Sequence, residues 1–341
     1  MSNGVDEARV VPWLEAHVAG CTPPVSFSLI AGGHSNLTYR ADDAAGHAYV
    51  LRRPPLGQVL ATAHDMGREH RIISALGPTT VPVPPALAHC DDVSVNGSPF
   101  YVMGHVDGLV LRDAETALGL APEARHRAGE SLVDVLADIH AVDPDAVGLG
   151  TLGRKEGYIP RQLKRWYTQF QAAQTRDVPL VDAVHAELER GVPEQGTATI
   201  VHGDYRLDNC LLDDQGGVNA VLDWEICTLG DPLADVGLLM VYWTDPDDGA
   251  TALLTSPTRV AGFPRREELL ERYAAKSGRD VSAIAYYTAF GYWKLACIIE
   301  GVYARYRGGA MGAEATGFEG FGQQVVTLAD TAARALGVAP R

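Results

Sequence analysis

Residues 201–225 read VHGDYRLDNCLLDDQGGVNAVLDWE, and no other run limits the fold so tightly. The stretch ATIVHG (198–203) reads as a strand that delivers His202, Gly203 and Asp204 into a loop. Asn209 follows Asp204 by five positions. CLLD, the turn DQGG and VNAVLDW then read as a hairpin whose second strand ends at Asp223. Loop and strand end can therefore present a carboxylate, a carboxamide and a second carboxylate to one point. Singly, His202, Asp204 and Asn209 are ordinary turn residues. In this order, on a strand, a loop and a hairpin, they read as an active site.

The donor set points to a chemistry. Asn209 and Asp223 offer the hard oxygen ligands that Mg2+ takes while it keeps water and phosphate in its other positions. Asp204 is left to hold a hydroxyl in line with a phosphorus atom and to accept its proton. Phosphoryl transfer asks for this: positioning and charge stabilisation, with little covalent work. A carboxylate is a feeble base, and it suffices where the proton leaves late.

The spacing Asp-x-x-x-x-Asn with a downstream strand-ending Asp is the protein-kinase arrangement. The form here, H-G-D-x-x-x-x-N followed by L-D-W-E, resembles the aminoglycoside phosphotransferase and choline-kinase branch of the kinase-like fold. The resemblance runs over nearly the whole chain. It implies an α/β (α+β) bilobal fold with ATP and Mg2+ between the lobes. The small lobe, residues 1–104, would be twisted sheet plus one helix; the larger, residues 105–341, would be helical. LIAGGHSNLTYR (29–40) resembles the loop that covers the nucleotide, with Gly32, Gly33 and Ser35 facing the phosphates. YVLRR (49–53) resembles the strand that carries the phosphate-binding cation, and Glu69 on the next helix its ion-pair partner. FYVMGHVDG (100–108) resembles the hinge, whose backbone from Met103 to His105 would bond the adenine edge. In GDPLADVG (230–237), Asp231 and Asp235 are expected to order the loop rather than bind metal.

One departure stands out. The phosphate-binding cation is usually Lys, and the first Lys of this chain is Lys155. Arg52 must serve, with Arg53 as neighbour; its flat fork can grip phosphate and Glu69 together. VLRRPP (50–55), VPVP (81–84), FYVM (100–103) and GVYARY (301–306) resemble the kinase-like domain associated with acyl-CoA dehydrogenases. That branch implies a hydroxylated acyl group, such as a hydroxyacyl-CoA, as acceptor, and association with an acyl-CoA dehydrogenase. Two alternatives remain open at this point: an aminoglycoside O-phosphotransferase, and a catalytically silent nucleotide-binding scaffold.

Composition narrows the partners. The 28 basic and 43 acidic residues leave a net charge of −15, the wrong sign for a nucleic-acid binder. Acidity suits a polycationic aminoglycoside. A CoA ester would instead need cations near the cleft, and Arg161, Lys164, Arg165, Lys294, Arg305 and Arg307 are candidates. The five cysteines are scattered and form no CxxC pair, as expected of buried thiols in a reducing compartment. The start lacks a secretory pattern and no apolar run could span a membrane, so the expected location is the cytoplasm. GLGTLG (148–153) matches a dinucleotide-binding glycine pattern, but a helix end precedes it where a strand is required, so it reads as a loop.

Overall fold

The computed structural model describes residues 4–31, 36–56, 65–249, 256–308 and 319–338. The expected contacts of Gly32, Gly33 and Ser35 lie outside these residues.

The chain opens with helix α1 (Glu7–His17) and then builds a five-stranded antiparallel sheet. Its strands are β1 (Ser26–Ala31), β2 (Leu37–Asp42), β3 (Ala48–Arg53), β4 (Ala86–Cys90) and β5 (Phe100–Gly104), in the order β1-β2-β3-β5-β4. Helix α2 (Met66–Leu76) lies between β3 and β4 in sequence, and Asp65 caps it by accepting from the Arg68 N–H at 2.9 Å. A short helix, α3 (Val93–Asn96), occupies the turn between β4 and β5.

Strand alternation divides this sheet by face. Tyr49 and Leu51 of β3 pack with Val10 and Leu14 of α1. Val50, one residue off, joins Met66, Ile72 and Ile73 of α2 in a core that continues into the rest of the chain. Arg52 therefore shares the α2 side, and Arg53 shares the α1 side. Arg53 turns away from the cleft: its guanidinium donates to the carbonyls of Gly4 and, at 3.1 Å, Asn96.

Beyond Gly104 helices dominate: α4 (Ala114–Leu118), α5 (Pro122–Ala141), α6 (Tyr158–Ala173), α7 (Pro179–Arg190), α8 (Leu233–Tyr242), α9 (Arg266–Ser277), α10 (Ile284–Arg307) and α11 (Glu319–Ala335). Between α7 and α8 run four short strands, β6 (Thr199–Val201), β7 (Cys210–Leu212), β8 (Val218–Val221) and β9 (Thr228–Gly230). β6 pairs with β9, and β7 with β8, both antiparallel. The β7–β8 hairpin is pinned twice. Leu109 and Leu212 exchange backbone hydrogen bonds of 2.8 and 2.9 Å, and the Val221 N–H donates to the Pro82 carbonyl at 2.8 Å. Residues 148–153 lie in turns, as expected, and the end of α5 followed by a turn comes immediately before them. No helix among the described residues is long and apolar enough to cross a membrane.

Helices α6, α7, α8, α10 and α11 share one apolar cluster, with Trp293 and Phe290 at its centre. The crossing of α8 over α10 is close because Gly237 has no side chain. A Cβ there would lie 2.5 Å from the Tyr287 carbonyl carbon and 2.6 Å from its oxygen, and backbone cannot yield as a side-chain tip can. Gly237→Ala should therefore destabilise the protein by about 3 kcal/mol in urea unfolding. The ~1 kcal/mol gain usual for Gly→Ala inside a helix would show instead that the two helices part freely.

Candidate active site

The loop that carries Asp204 is held from below. β6 ends at Val201, and Gly203 turns the chain with φ +88°. Asp235, on the first turn of α8, accepts from the His202 N–H at 2.6 Å (Oδ2) and from the Gly203 N–H at 2.8 Å (Oδ1). On the other side of the same residue, Lys294 Nζ from α10 donates to the Gly203 carbonyl at 2.9 Å. Burial pushes the Asp235 carboxyl up, but His140, His202 and the loop N–H groups outweigh it and hold it below the usual range. Burial lowers the Lys294 ammonium, against the pull of Asp204 and Asp235. The His140 ring completes the set: its Nε2 lies 3.4 Å from Asp235 Oδ2, and the Tyr273 hydroxyl lies 2.7 Å from its Nδ1. Asp231 caps the start of α8 at the Leu233 N–H (3.1 Å) and accepts from the Tyr287 hydroxyl at 2.6 Å.

Asp204 itself is held at both oxygens. Asn209 Nδ2 donates to its carbonyl at 2.8 Å and to Oδ2 at 3.1 Å, and the Tyr242 hydroxyl donates to Oδ1 at 3.2 Å. Arg206 stacks 4.7 Å over the Tyr242 ring and pairs with Asp208 at 3.1 Å. Its Nε is 3.7 Å from Asp204 Oδ2 without making a hydrogen bond. His202 straps the two halves of the site together. The Asp204 N–H faces Nδ1 at 3.3 Å, so Nδ1 accepts and Nε2 carries the proton given to the Leu222 carbonyl at 2.9 Å. Leu222 also donates its N–H to the Asn209 carbonyl at 2.8 Å. Asp204, Asn209 and the chain entering Asp223 are thus one hydrogen-bonded unit.

Asp223 has φ +64°, and it is the one non-glycine residue with positive φ among the described residues. Asp tolerates this conformation better than most side chains, and strain of this kind gathers at functional sites. Its Oδ1 meets Arg52 Nη2 at 2.5 Å. The same Nη2 lies 4.0 Å from Glu225 Oε2, while Arg52 Nε lies 3.1 Å from Glu69 Oε2 as an ion pair without a hydrogen bond. Tyr101 donates to Glu69 Oε2 at 3.0 Å. Asn36 Nδ2 bridges Glu69 (3.0 Å) and Glu225 (3.3 Å), and its buried Oδ1 finds no partner among the described residues. Three carboxylates surround one guanidinium. Burial, then Asp223, pushes the Glu225 carboxyl up to about 7, and burial also raises Glu69 despite Arg52. The cleft is short of positive charge.

Met103 and His105 sit where β5 leaves the sheet. The N–H groups of Gly104 and His105 are spent on the carbonyls of Pro85 (2.8 Å) and Ala48 (3.2 Å). Val106 has the next N–H along, and it makes no backbone hydrogen bond among the described residues. Sequence reasoning did not single out Asn36, Glu225, Arg206 or Tyr242. Glu225 stands two residues after Asp223, and Arg206 two after Asp204, a local signal that was available; Asn36 and Tyr242 carry none.

Residues 26–284 match the family described as "Phosphotransferase enzyme family". The chain belongs to that family. A Ralstonia eutropha protein assigned by name to the aminoglycoside phosphotransferases is 31% identical and superposes with a TM-score of 0.82, covering 98% of this chain and 99% of that one. A choline kinase from Cryptosporidium parvum, 13% identical, shares the fold with a TM-score of 0.68 over 98% of each chain. The fold is therefore kinase-like and bilobal. Mouse acyl-CoA dehydrogenase family member 10 is 36% identical over 288 residues, 83% of this chain and 27% of that protein. Human acyl-CoA dehydrogenase family member 11 is 32% identical over 311 residues, 88% of this chain and 39% of that protein. The chain spans well under half the length of these relatives.

Asp235 makes two buried hydrogen bonds to the loop N–H groups, so Asp235→Asn should cost about 3 kcal/mol near neutral pH. A carboxyl held below its unfolded value adds stability above that value and loses it as pH falls through the folded one. The gap between wild type and variant in urea midpoint should therefore narrow as pH falls below about 4. A gap that is independent of pH would assign the loss to packing instead of to the charge.

Proposed function

We propose that this chain transfers the γ-phosphoryl group of ATP to the hydroxyl of a small molecule. The observation that carries the reading is the unit formed by Asp204, Asn209 and Asp223, tied together through His202 and facing Arg52 across the cleft. In this reading the acceptor hydroxyl donates to Asp204, whose orientation is fixed by Tyr242 and Asn209 before the acceptor arrives. Prepaid orientation is what an in-line displacement needs. Arg52, braced by Glu69, faces the nucleotide phosphates. The backbone from Met103 to His105, extended to Val106, meets the base. Gly104 is the hinge between lobes 1–104 and 105–341.

A divalent cation fits this site on the chemistry of its donors. Asn209 commits its Nδ2 to Asp204, which turns Oδ1 away as a neutral acceptor, and Asp223 supplies a hard anionic oxygen. The excess of carboxylates over cations around Arg52 supports the same conclusion. We assign Mg2+ to Asn209 and Asp223; when bound, it would neutralise charge on the transferring phosphoryl group.

The acceptor we propose is a hydroxylated acyl group, such as a hydroxyacyl-CoA. The identity to acyl-CoA dehydrogenase family members over more than four-fifths of the chain supports it, as it supports a dehydrogenase partner. The likeness to the Ralstonia protein supports an aminoglycoside-type acceptor as the second reading. The complete set Asp204, Asn209 and Asp223 weighs against a silent scaffold.

Two variants test the reading. Asp204→Asn keeps the shape of the side chain and one acceptor oxygen but removes the base, so kcat for ATP-dependent phosphorylation should fall 10²–10⁴-fold with little change in the KM for ATP. Full activity in this variant, measured by mass spectrometry of hydroxyacyl-CoAs and aminoglycosides incubated with ATP and Mg2+, would remove the mechanism. Arg52→Lys replaces a fork that meets Glu69 and Asp223 at once with a single ammonium. The KM for ATP should rise about tenfold, equivalent to ~1.4 kcal/mol; an unchanged KM would place the phosphates elsewhere.

A further inference from the structure

A groove of about 590 Å3 runs between α6 and α10, away from the nucleotide cleft. Trp166, Ala173, Cys297, Gly301, Ala304 and Arg305 line it, so its wall is mainly apolar and built from small side chains. Its volume is that of a small-molecule site. Two further observations separate it from an idle surface crease.

The first is Gly301. It stands inside the 24-residue helix α10, where glycine is destabilising relative to alanine. Glycine at Gly237 admits a neighbouring helix, but a Cβ built at Gly301 meets no described residue within 4 Å. The space in front of Gly301 is left free by the described residues. The second observation is where the groove leads. Lys294, Cys297, Gly301 and Arg305 succeed one another at helical spacing on α10, about 16 Å from first to last. At the Lys294 end, the ammonium donates to the carbonyl of Gly203, next to Asp204, and lies 5.7 Å from the Trp166 ring that lines the groove. Arg165 lies 4.9 Å over the same ring. One end of the apolar track therefore lies at Trp166, on whose ring Arg165 rests and behind which the buried Lys294 supports the loop that carries Asp204, and the other ends at the exposed Arg305.

We propose that this groove holds the hydrocarbon arm of the acceptor. The acceptor is then an amphiphile: a hydroxyl presented to Asp204, an apolar chain lying along α10 past Gly301, and an anionic group matched by the cations at the groove's ends. A polycationic, polyhydroxylated sugar has no arm to place there and meets like charge at both ends. The proposal rests on the phosphotransferase reading for the hydroxyl, but the groove is testable by itself. Of the cations considered from sequence, Arg305 and Arg165 border the track. Lys294 is buried beneath the loop, and Arg161 is spent in part on the Arg154 carbonyl at 2.7 Å.

The test compares wild type with Gly301→Phe and the milder Gly301→Leu. Both side chains project into open space, and the thermal midpoint of each variant checks that it folds. Two readings are taken: kcat/KM with hydroxyacyl-CoAs of four to twelve carbons, and calorimetric binding of dodecanoate. In wild type, kcat/KM should rise with chain length. In Gly301→Phe the long-to-short ratio should fall at least tenfold, with dodecanoate affinity falling as much and Leu giving an intermediate loss. Turnover in which both variants keep the wild-type chain-length ratio and dodecanoate affinity would overturn the groove and leave phosphoryl transfer standing. Dodecanoate binding that Phe abolishes, with no alcohol phosphorylated, would keep the groove and overturn the transfer reading. If dodecanoate fails to bind wild type while Gly301→Phe lowers the thermal midpoint, the space is not open to a ligand, and the proposal falls.

Discussion

The peptide units around Gly203 are the point on which the site depends. Their N–H groups rest on a buried carboxylate from α8, and the Gly203 carbonyl receives a buried ammonium from α10. Neither charge is accessible to water, so each is tolerable only because the other and the loop's dipoles answer it. The arrangement ties loop position to the packing of two helices. Because Gly237 lets the backbones of α8 and α10 approach closely, the placement of Asp235 relative to Lys294 is set by the helical core and not by the loop. The eight residues between β6 and β7 acquire in this way the precision of a helix pair.

Charge balance explains the front of the cleft. Glu69, Asp223 and Glu225 converge on Arg52, and Asn36 shares its amide between two of them. One guanidinium cannot neutralise three carboxylates, and burial answers by pushing Glu225 up to about 7. A site built this way is incomplete as protein alone. It gains from any added positive charge at Asp223, which is the charge a phosphate-bound cation brings. A planar fork suits this crowd better than an ammonium, because its separate N–H directions address Glu69 and Asp223 without moving.

What could be read from sequence follows from the range of the interactions. The run 201–225 is legible because its chemistry is local: strand, loop and hairpin deliver Asp204, Asn209 and Asp223 within twenty residues. Arg52 and Glu69 are legible one step further, through the order of strand and helix. The alternation of β3 also separates Arg52 from Arg53, which follows from period two alone. Tyr242 and Asn36 were not legible, since each reaches its partner across 38 and 33 residues from positions that look like ordinary core or turn. Lys294 shows the same limit from the other side. In sequence it is one cation among several on late helices, and only the packing of α10 makes it a buried support for the loop.

Mechanically, α2 belongs with the larger lobe. Arg68 donates to the carbonyls of Cys227 (2.5 Å) and Leu152 (3.2 Å), and Arg71 to that of Gly148 (2.5 Å). Glu69 lies on the same helix, so its position is fixed relative to the catalytic loop, whereas Arg52 rides on the sheet. The contact between Arg52 and Glu69 therefore joins the sheet to the frame that also holds Asp223, beside the Tyr101–Glu69 hydrogen bond from β5 and the packing of Val50 against α2. Arg52 thus answers to both frames at once: it rides on β3, and its guanidinium is held by Glu69 on α2 and by Asp223 at the end of the β7–β8 hairpin.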